Sequence, residues 1–221
     1  MIRTTFTLVL TAALMTVIQP LVAQSQSARE SAAQSAPFAH DGVARDAARY
    51  EAWLKGNWRK SSTPVRRHRA TGFRLLGAAN EPRAASRAFA QAIANDGRDA
   101  ASWVGLARAL LAIPTKELQG AERYNIPVNA SGAAYFGYQR ASDKRMQAQA
   151  LAVLGQALAR RSYWRPALDA YKTSLKLVDD AAVRQVYDDL HGQKGFRIIT
   201  YKVENETSSP RLCIEFSESL K

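Results

Sequence analysis

The sequence predicts a mainly α-helical chain, a stack of short antiparallel helical hairpins followed by a short β-hairpin. Three observations carry this reading. Apolar residues recur at helical spacing from about residue 42 to residue 195, and Ala is abundant while Gly and Pro number 12 and 8 of 221 residues, a composition that favours helix. Two helical patterns alternate and repeat along that stretch. After Gly195 the apolar period shortens from about 3.6 to 2, the sign of strands.

Before the helices comes a leader. Arg3 supplies a positive start, and no charge then appears until Arg29. Phe6 to Val22 is mostly apolar, Pro20 breaks its end, and the small residue Ala23 follows. This is the layout of a secretory signal peptide over residues 1–23, with cleavage expected after Ala23. The apolar run is short and interrupted for a bilayer span, so no stable membrane anchor is expected after cleavage. The expected location is the periplasm or the outside of the cell. Residues 24–41, rich in Ser, Gln and Ala, read as a flexible lead-in.

The helical region, residues 42–195, is expected to be one repeat domain. Gly42 to Trp58 reads as a helix with Tyr50, Leu54 and Trp58 on one face, Trp53 beside them and Asp41 as N-cap. Val65 to Ala78 is a second helix. Pro82 opens a third, where its missing N–H costs nothing, and Asn95-Asp96-Gly97 ends it. Asp99 caps a fourth, closed by Pro114. Asn129 is expected to cap a fifth, after an insertion at about Thr115 to Val128. Ser162 and Tyr163 mark a turn before a helix opened by Arg165-Pro166. Asp180 caps a last helix that Gly192 and Gly195 end.

The repeat lies in the spacing. Trp103-x2-Leu106-Ala107-x2-Leu110 returns forty-eight residues later as Leu151-x2-Leu154-Gly155-x2-Leu158. Alternating with these are Ala85-x3-Phe89-x2-Ala92, Ala134-x3-Tyr138-x2-Ala141 and Ala167-x3-Tyr171-x2-Ser174. Small residues allow two antiparallel helices to approach, and the aromatic fills the groove between them. This alternation is the tetratricopeptide (TPR) pattern, whose period is about 34 residues. All these residues are therefore expected to serve packing between repeats rather than catalysis.

Residues 196–221 read as a β-hairpin, with strands at Phe196 to Val203 and Leu212 to Phe216 and a loop at Asn205 to Pro210. Two strands alone are marginal in water, so they are expected to be the start of a larger β-sandwich domain that is truncated here or completed by another chain. Cys213 is the single cysteine, and any disulfide would need a partner outside the chain.

The chain carries no HExxH, GxSxG or phosphate-cradling glycine loop, and His40, His68 and His191 show no metal-ligand spacing. No enzymatic activity, cofactor or metal is expected. The net charge of +12 is compatible with anionic partners. Its densest run, Arg66-Arg67-His68-Arg69, is short and not interleaved with aromatics, so nucleic acid is not expected as a partner.

Several segments together resemble the N-terminal region of bacterial alpha-2-macroglobulin-like proteins. They are Tyr50-Glu-Ala-Trp53-Leu54-Lys-Gly-Asn-Trp58, Glu122-Arg-Tyr124 through Asn129-Ala-Ser-Gly-Ala-Ala-Tyr135, Arg161-Ser-Tyr-Trp164-Arg-Pro-Ala-Leu-Asp-Ala-Tyr171, Gly195-Phe196-Arg197, and Ser209-Pro210-Arg211-Leu-Cys213-Ile-Glu-Phe216-Ser217-Glu-Ser-Leu220. The resemblance implies a non-catalytic helical module of a periplasmic protease inhibitor, with downstream β-sandwich domains as its protein partner. Cys213 is followed by Ile214-Glu215, so it does not match the Cys-Glu-Gln thioester of that family. The alternative expectation is a stand-alone periplasmic TPR-like adaptor that binds a protein in its groove. Either way, fractionation of expressing bacteria is expected to recover the mature chain from the periplasm. Full-length protein retained in the cytoplasm would contradict the leader assignment.

Overall fold

A computed structural model describes residues 38–204 and 210–217. The leader, the cleavage point at Ala23, most of the lead-in and the loop at 205–209 lie outside the described residues. The chain is mainly helical and finishes in a two-stranded antiparallel sheet. The helices are α1 Asp41–Asn57, α2 Val65–Gly77, α3 Pro82–Asn95, α4 Ala100–Ala112, α5 Glu122–Arg140, α6 Lys144–Arg160, α7 Trp164–Leu177 and α8 Ala181–Lys194. A 3-10 turn, Thr115–Glu117, joins α4 to α5. The strands are β1 Ile198–Glu204 and β2 Arg211–Phe216.

Most helix ends follow from local chemistry. Pro82 occupies the first turn of α3. Asp180 caps α8 by accepting from the backbone N–H groups of Ala182 and Val183, and Asp143 caps α6 through Met146. Three expectations need correction. Asp41 does not cap α1; it lies in the first turn, where its charge suits the helix dipole, and His40 Nδ1 accepts from the Val43 N–H at 3.3 Å. Asp99 stands at the N-cap of α4 but makes no capping bond. Its carboxylate is drawn away by Arg69 at 2.5 Å and by the Ser102 hydroxyl. Asn129 caps nothing, because α5 starts seven residues earlier.

The early start of α5 has a physical cause. Glu122 sits in its first turn, and Arg83 of α3 grips both oxygens of that carboxylate at 2.8 and 3.0 Å. Pro127 lies inside the helix and forfeits a backbone bond to Arg123, a loss that costs less near a helix start than in its middle. The residues expected as an insertion thus become the 3-10 turn, a short connection at 118–121 and the first two turns of α5.

Each helix from α2 to α8 packs on the next, and α2 touches α4 as α4 touches α6. This is the neighbour-plus-alternate contact of a two-layer, repeat-like stack. The exception is α1, which skips α2, packs on α5 and touches α3. Small residues make that docking close: a Cβ placed on Gly132 would lie 2.9 Å from the Ala47 Cα. Phe38, just before α1, is buried against Tyr135 with ring centres 6.5 Å apart, so ordered chain begins inside the stretch expected to be flexible.

The core runs continuously through the stack. Phe89 is fully buried between two glycines of different helices. A Cβ built on Gly72 of α2 would lie 2.7 Å from its ring, and one built on Gly105 of α4 would lie 2.3 Å from it. Gly155 of α6 meets the Tyr171 ring of α7 in the same way, at 2.8 Å. Replacing Gly105 by Ala gains about 1 kcal/mol of helix propensity but overpacks a ring that cannot retreat, at about 1–3 kcal/mol. Gly105→Ala is therefore expected to lower the melting temperature, and Phe89→Leu in the same chain to restore part of it. A double-mutant cycle should show coupling of at least about 0.5 kcal/mol; strictly additive effects would rule out the clamp.

Candidate functional site

The residues of the repeat pattern lie along the helix interfaces. Ala85, Phe89, Ala92, Trp103, Leu106, Ala107, Ala134, Leu154 and Ala167 are fully buried, with Tyr171 and Ala141 nearly so and Gly155 buried beneath Tyr171. The Trp103 Nε1–H donates to the Gly97 carbonyl at 2.9 Å, so its one polar atom is satisfied at full burial. Tyr138 is only half-buried. Its hydroxyl accepts from the Phe38 N–H at 3.2 Å, and it ties the segment before α1 to α5.

Polar ties hold helices that are distant in sequence, and the sequence reading did not foresee them. Arg161 at the end of α6 bonds Asp46 of α1 and the Ser131 hydroxyl of α5, both at 2.8 Å, with its side chain 7% exposed. Arg140 of α5 pairs with Glu51 of α1 at 2.9 Å and lies over the Phe136 and Trp103 rings, 4.1 and 4.8 Å from their centres. Arg160 donates to the Leu111 and Ile113 carbonyls at 2.7 and 3.1 Å, which satisfies acceptors left open at the end of α4. Asn95 holds the α1–α2 loop by bonds to Ser61 and Thr63.

Reactive constellations are few. Ser61 Oγ lies 2.8 Å from His68 Nε2. Ser61 belongs to the Asn95-anchored loop and His68 to the first turn of α2, and no carboxylate bonds the other imidazole nitrogen in the described residues. Among those residues no group of three His, Cys, Asp or Glu side chains converges as a metal site. No described helix is long and apolar enough to cross a membrane.

Two surfaces remain open. The first is a groove of about 690 Å³ walled by α4, α6, α7 and α8. One stripe of α6 (Arg145, Gln149, Ala152, Val153, Gln156) forms its length, Arg108 enters from α4, and Val183 and Val186 come from α8. Tyr171 and Ser174 close its floor; Ser174 bonds the Ala148 carbonyl at 2.8 Å. Arg108 is exposed as a whole, and partial desolvation lowers the pKa of its guanidinium. Tyr171 and Ser174 belong to the repeat pattern read from the sequence, whereas Arg108, Arg145, Gln149 and Gln156 were not marked there. A signal was nonetheless there: Arg108 and Gln156 stand forty-eight residues apart, the same offset as Trp103 and Leu151.

The second surface is the β-hairpin. Ile198 pairs with Phe216, Tyr201 with Ile214 and Val203 with Leu212, with a bulge between Ile198 and Thr200. This register puts six apolar side chains on one face and Thr200, Lys202, Glu204, Arg211, Cys213 and Glu215 on the other. Tyr201 is 69% and Leu212 60% exposed, so the apolar face is uncovered. Cys213 is a free, exposed thiol. The base of the hairpin is held to α8 by Arg197, which donates to the Gly192 and Gln193 carbonyls, and Phe196, between α8 and β1, stacks on Phe216 of β2 at 5.2 Å. A scan against known protein families finds no match for this chain, and a search of curated proteins finds none either.

Burial gives the core tyrosines a pH signature. The Tyr171 hydroxyl is pushed up to about 12 by desolvation, and that of Tyr50 is raised by the same cause. An unfolded tyrosine ionises near pH 10. The folded state therefore holds protons that the unfolded state releases, and stability present below about pH 10 is lost as pH rises toward 12. Denaturant titrations from pH 8 to 12 should show that fall, with a shallower slope in Tyr171→Phe. An unchanged slope would mean that the hydroxyl is not desolvated.

Proposed function

We propose that this chain is a non-catalytic, TPR-like scaffold that acts by holding other proteins, and that it is the N-terminal helical module of a bacterial alpha-2-macroglobulin-like periplasmic protease inhibitor. The observation that carries the scaffold reading is the recurring seat of an aromatic on a glycine of the preceding helix, Phe89 on Gly72 and Tyr171 on Gly155. These pairs occupy equivalent places in two helical hairpins, where the TPR pattern puts a small residue opposite an aromatic. The inhibitor reading draws on the sequence resemblance. It also accounts for the amphipathic hairpin, whose apolar face a neighbouring β-layer of such an inhibitor would cover. Export to the periplasm belongs to the same proposal.

A stand-alone adaptor is the second reading, and the open groove of α4, α6, α7 and α8 favours it. Both readings assign the chain no chemistry of its own. Purified chain mixed with general proteases is expected to leave their activity on large protein substrates unchanged. It should also form no adduct that survives denaturing electrophoresis. Stoichiometric inhibition, or a covalent complex, would overturn the proposal that these helices are a scaffold without trapping activity.

A further inference from the structure

Residues 52–116 hold twelve Lys and Arg against three carboxylates, Glu81, Asp96 and Asp99, so nine of the twelve net positive charges lie in less than a third of the chain. The helices α2, α3 and α4 contain no Asp or Glu. Two of the three carboxylates are occupied: Asp99 by Arg69, and Asp96 by the Arg98 N–H. Glu81 stands alone in the turn that follows α2. Glu51 of α1, on the other side, pairs with Lys55 and Arg140.

The excess has a definite place. Because α1 docks on α5, α2 packs on α3 and α4 and keeps an open outer side. Arg66, Arg67, Ala70, Phe73, Arg74 and Gly77 are exposed there. Steps of three and four put them on one helix face, about 16 Å long. Arg66, Arg67 and Arg74 have no partner among the described residues. Exposed Arg59 and Lys60 belong to the α1–α2 loop, which Asn95 and the Ser61–His68 contact hold beside the first turns of α2. Phe73 is 41% exposed between the arginines, in a T-shaped contact with Phe89 at 5.0 Å.

A cluster of four to eight cations on a helix face suits anionic lipid, and each cation strengthens the partition by about fivefold. An aromatic ring among them belongs at headgroup level. Single-stranded nucleic acid asks for a groove and for several rings with free faces. The outer side of α2 offers one ring, already engaged by Phe89, on an open helix surface.

We propose that the outer face of α2 binds reversibly to the surface of an anionic phospholipid bilayer, with its arginines at the headgroup phosphates and the Phe73 ring between them. This adds to the scaffold reading and does not depend on it. The test is sedimentation of the intact chain with vesicles of about one part phosphatidylglycerol to three of phosphatidylcholine. Vesicles of phosphatidylcholine alone register any contribution of the apolar leader. Binding should favour the anionic vesicles at least about tenfold and weaken as salt rises. Arg66→Gln/Arg67→Gln/Arg74→Gln should lose at least about tenfold of that preference. Lys144→Gln/Lys172→Gln/Lys176→Gln removes the same charge from exposed sites on α6 and α7 and should lose less than about threefold. Phe73→Ser should weaken binding and Phe73→Trp strengthen it, with each fold checked by circular dichroism. The proposal is overturned by no anionic preference, by a preference that survives the arginine triple, by equal loss in both triples, or by binding that neither change at Phe73 moves. Release of most of the chain from the vesicles by single-stranded DNA at equal phosphate would make the face a nucleic-acid surface and overturn it as well.

Discussion

The closeness of the helices depends on large rings set against missing side chains. Phe89 can be fully buried between α2 and α4 because Gly72 and Gly105 present bare backbone to its two sides. A methyl at either position would occupy space already taken by the ring. Tyr171 repeats the arrangement on Gly155. Interiors are packed like organic crystals, so such a fit fixes the separation and rotation of the helix pair. Once the pairs are fixed, so is the position of the stripe of α6 that faces the groove. The groove is a consequence of the packing rather than an independent feature.

A second kind of interaction places α1, which the linear logic of a stack does not place. The helix reaches α5 across roughly ninety residues of chain and is held there by Asp46–Arg161 and Glu51–Arg140. Arg161 is well buried, and such a pair adds little net stability over apolar residues of the same shape. Breaking it would leave a carboxylate stranded among Arg161's former partners, which is costly. The pairs therefore act mainly on specificity: they select one docking of α1, while the apolar contacts of Val43, Ala47, Tyr50 and Leu54 supply the favourable burial. The hydrogen bond from Phe38 to Tyr138 extends this docking one step before the helix.

Helices and strands were legible in the sequence because their apolar period is local. The limits of α2, α3 and α8 fall within a few residues of those read from the sequence, where Pro82 and Asp180 mark two of the starts. What failed was information held between distant residues. Asn129 looks like a cap until Arg83 is seen gripping Glu122 from α3 and stabilising an earlier start. Asp99 looks like a cap until Arg69 and Ser102 claim its oxygens. The place of α1 was hidden for the same reason, since neither member of its ion pairs lies near the other in sequence. Arg108, Arg145, Gln149 and Gln156 were not legible because the repeat shows itself in apolar and small positions, and these four sit on the face that those positions leave open.

The distribution of charge separates residues used in folding from those left for other work. Arg69, Arg83, Arg140, Arg160 and Arg161 each bind a carboxylate or a carbonyl between elements. In that role they act as fasteners, and the planar guanidinium suits them because it can serve two acceptors in fixed geometry. Arg108 and Arg145 make no such tie among the described residues. The hairpin shows the apolar counterpart, with six side chains gathered on one face and no layer over them among the described residues. A stack that used all its charge and apolar surface internally would expose neither.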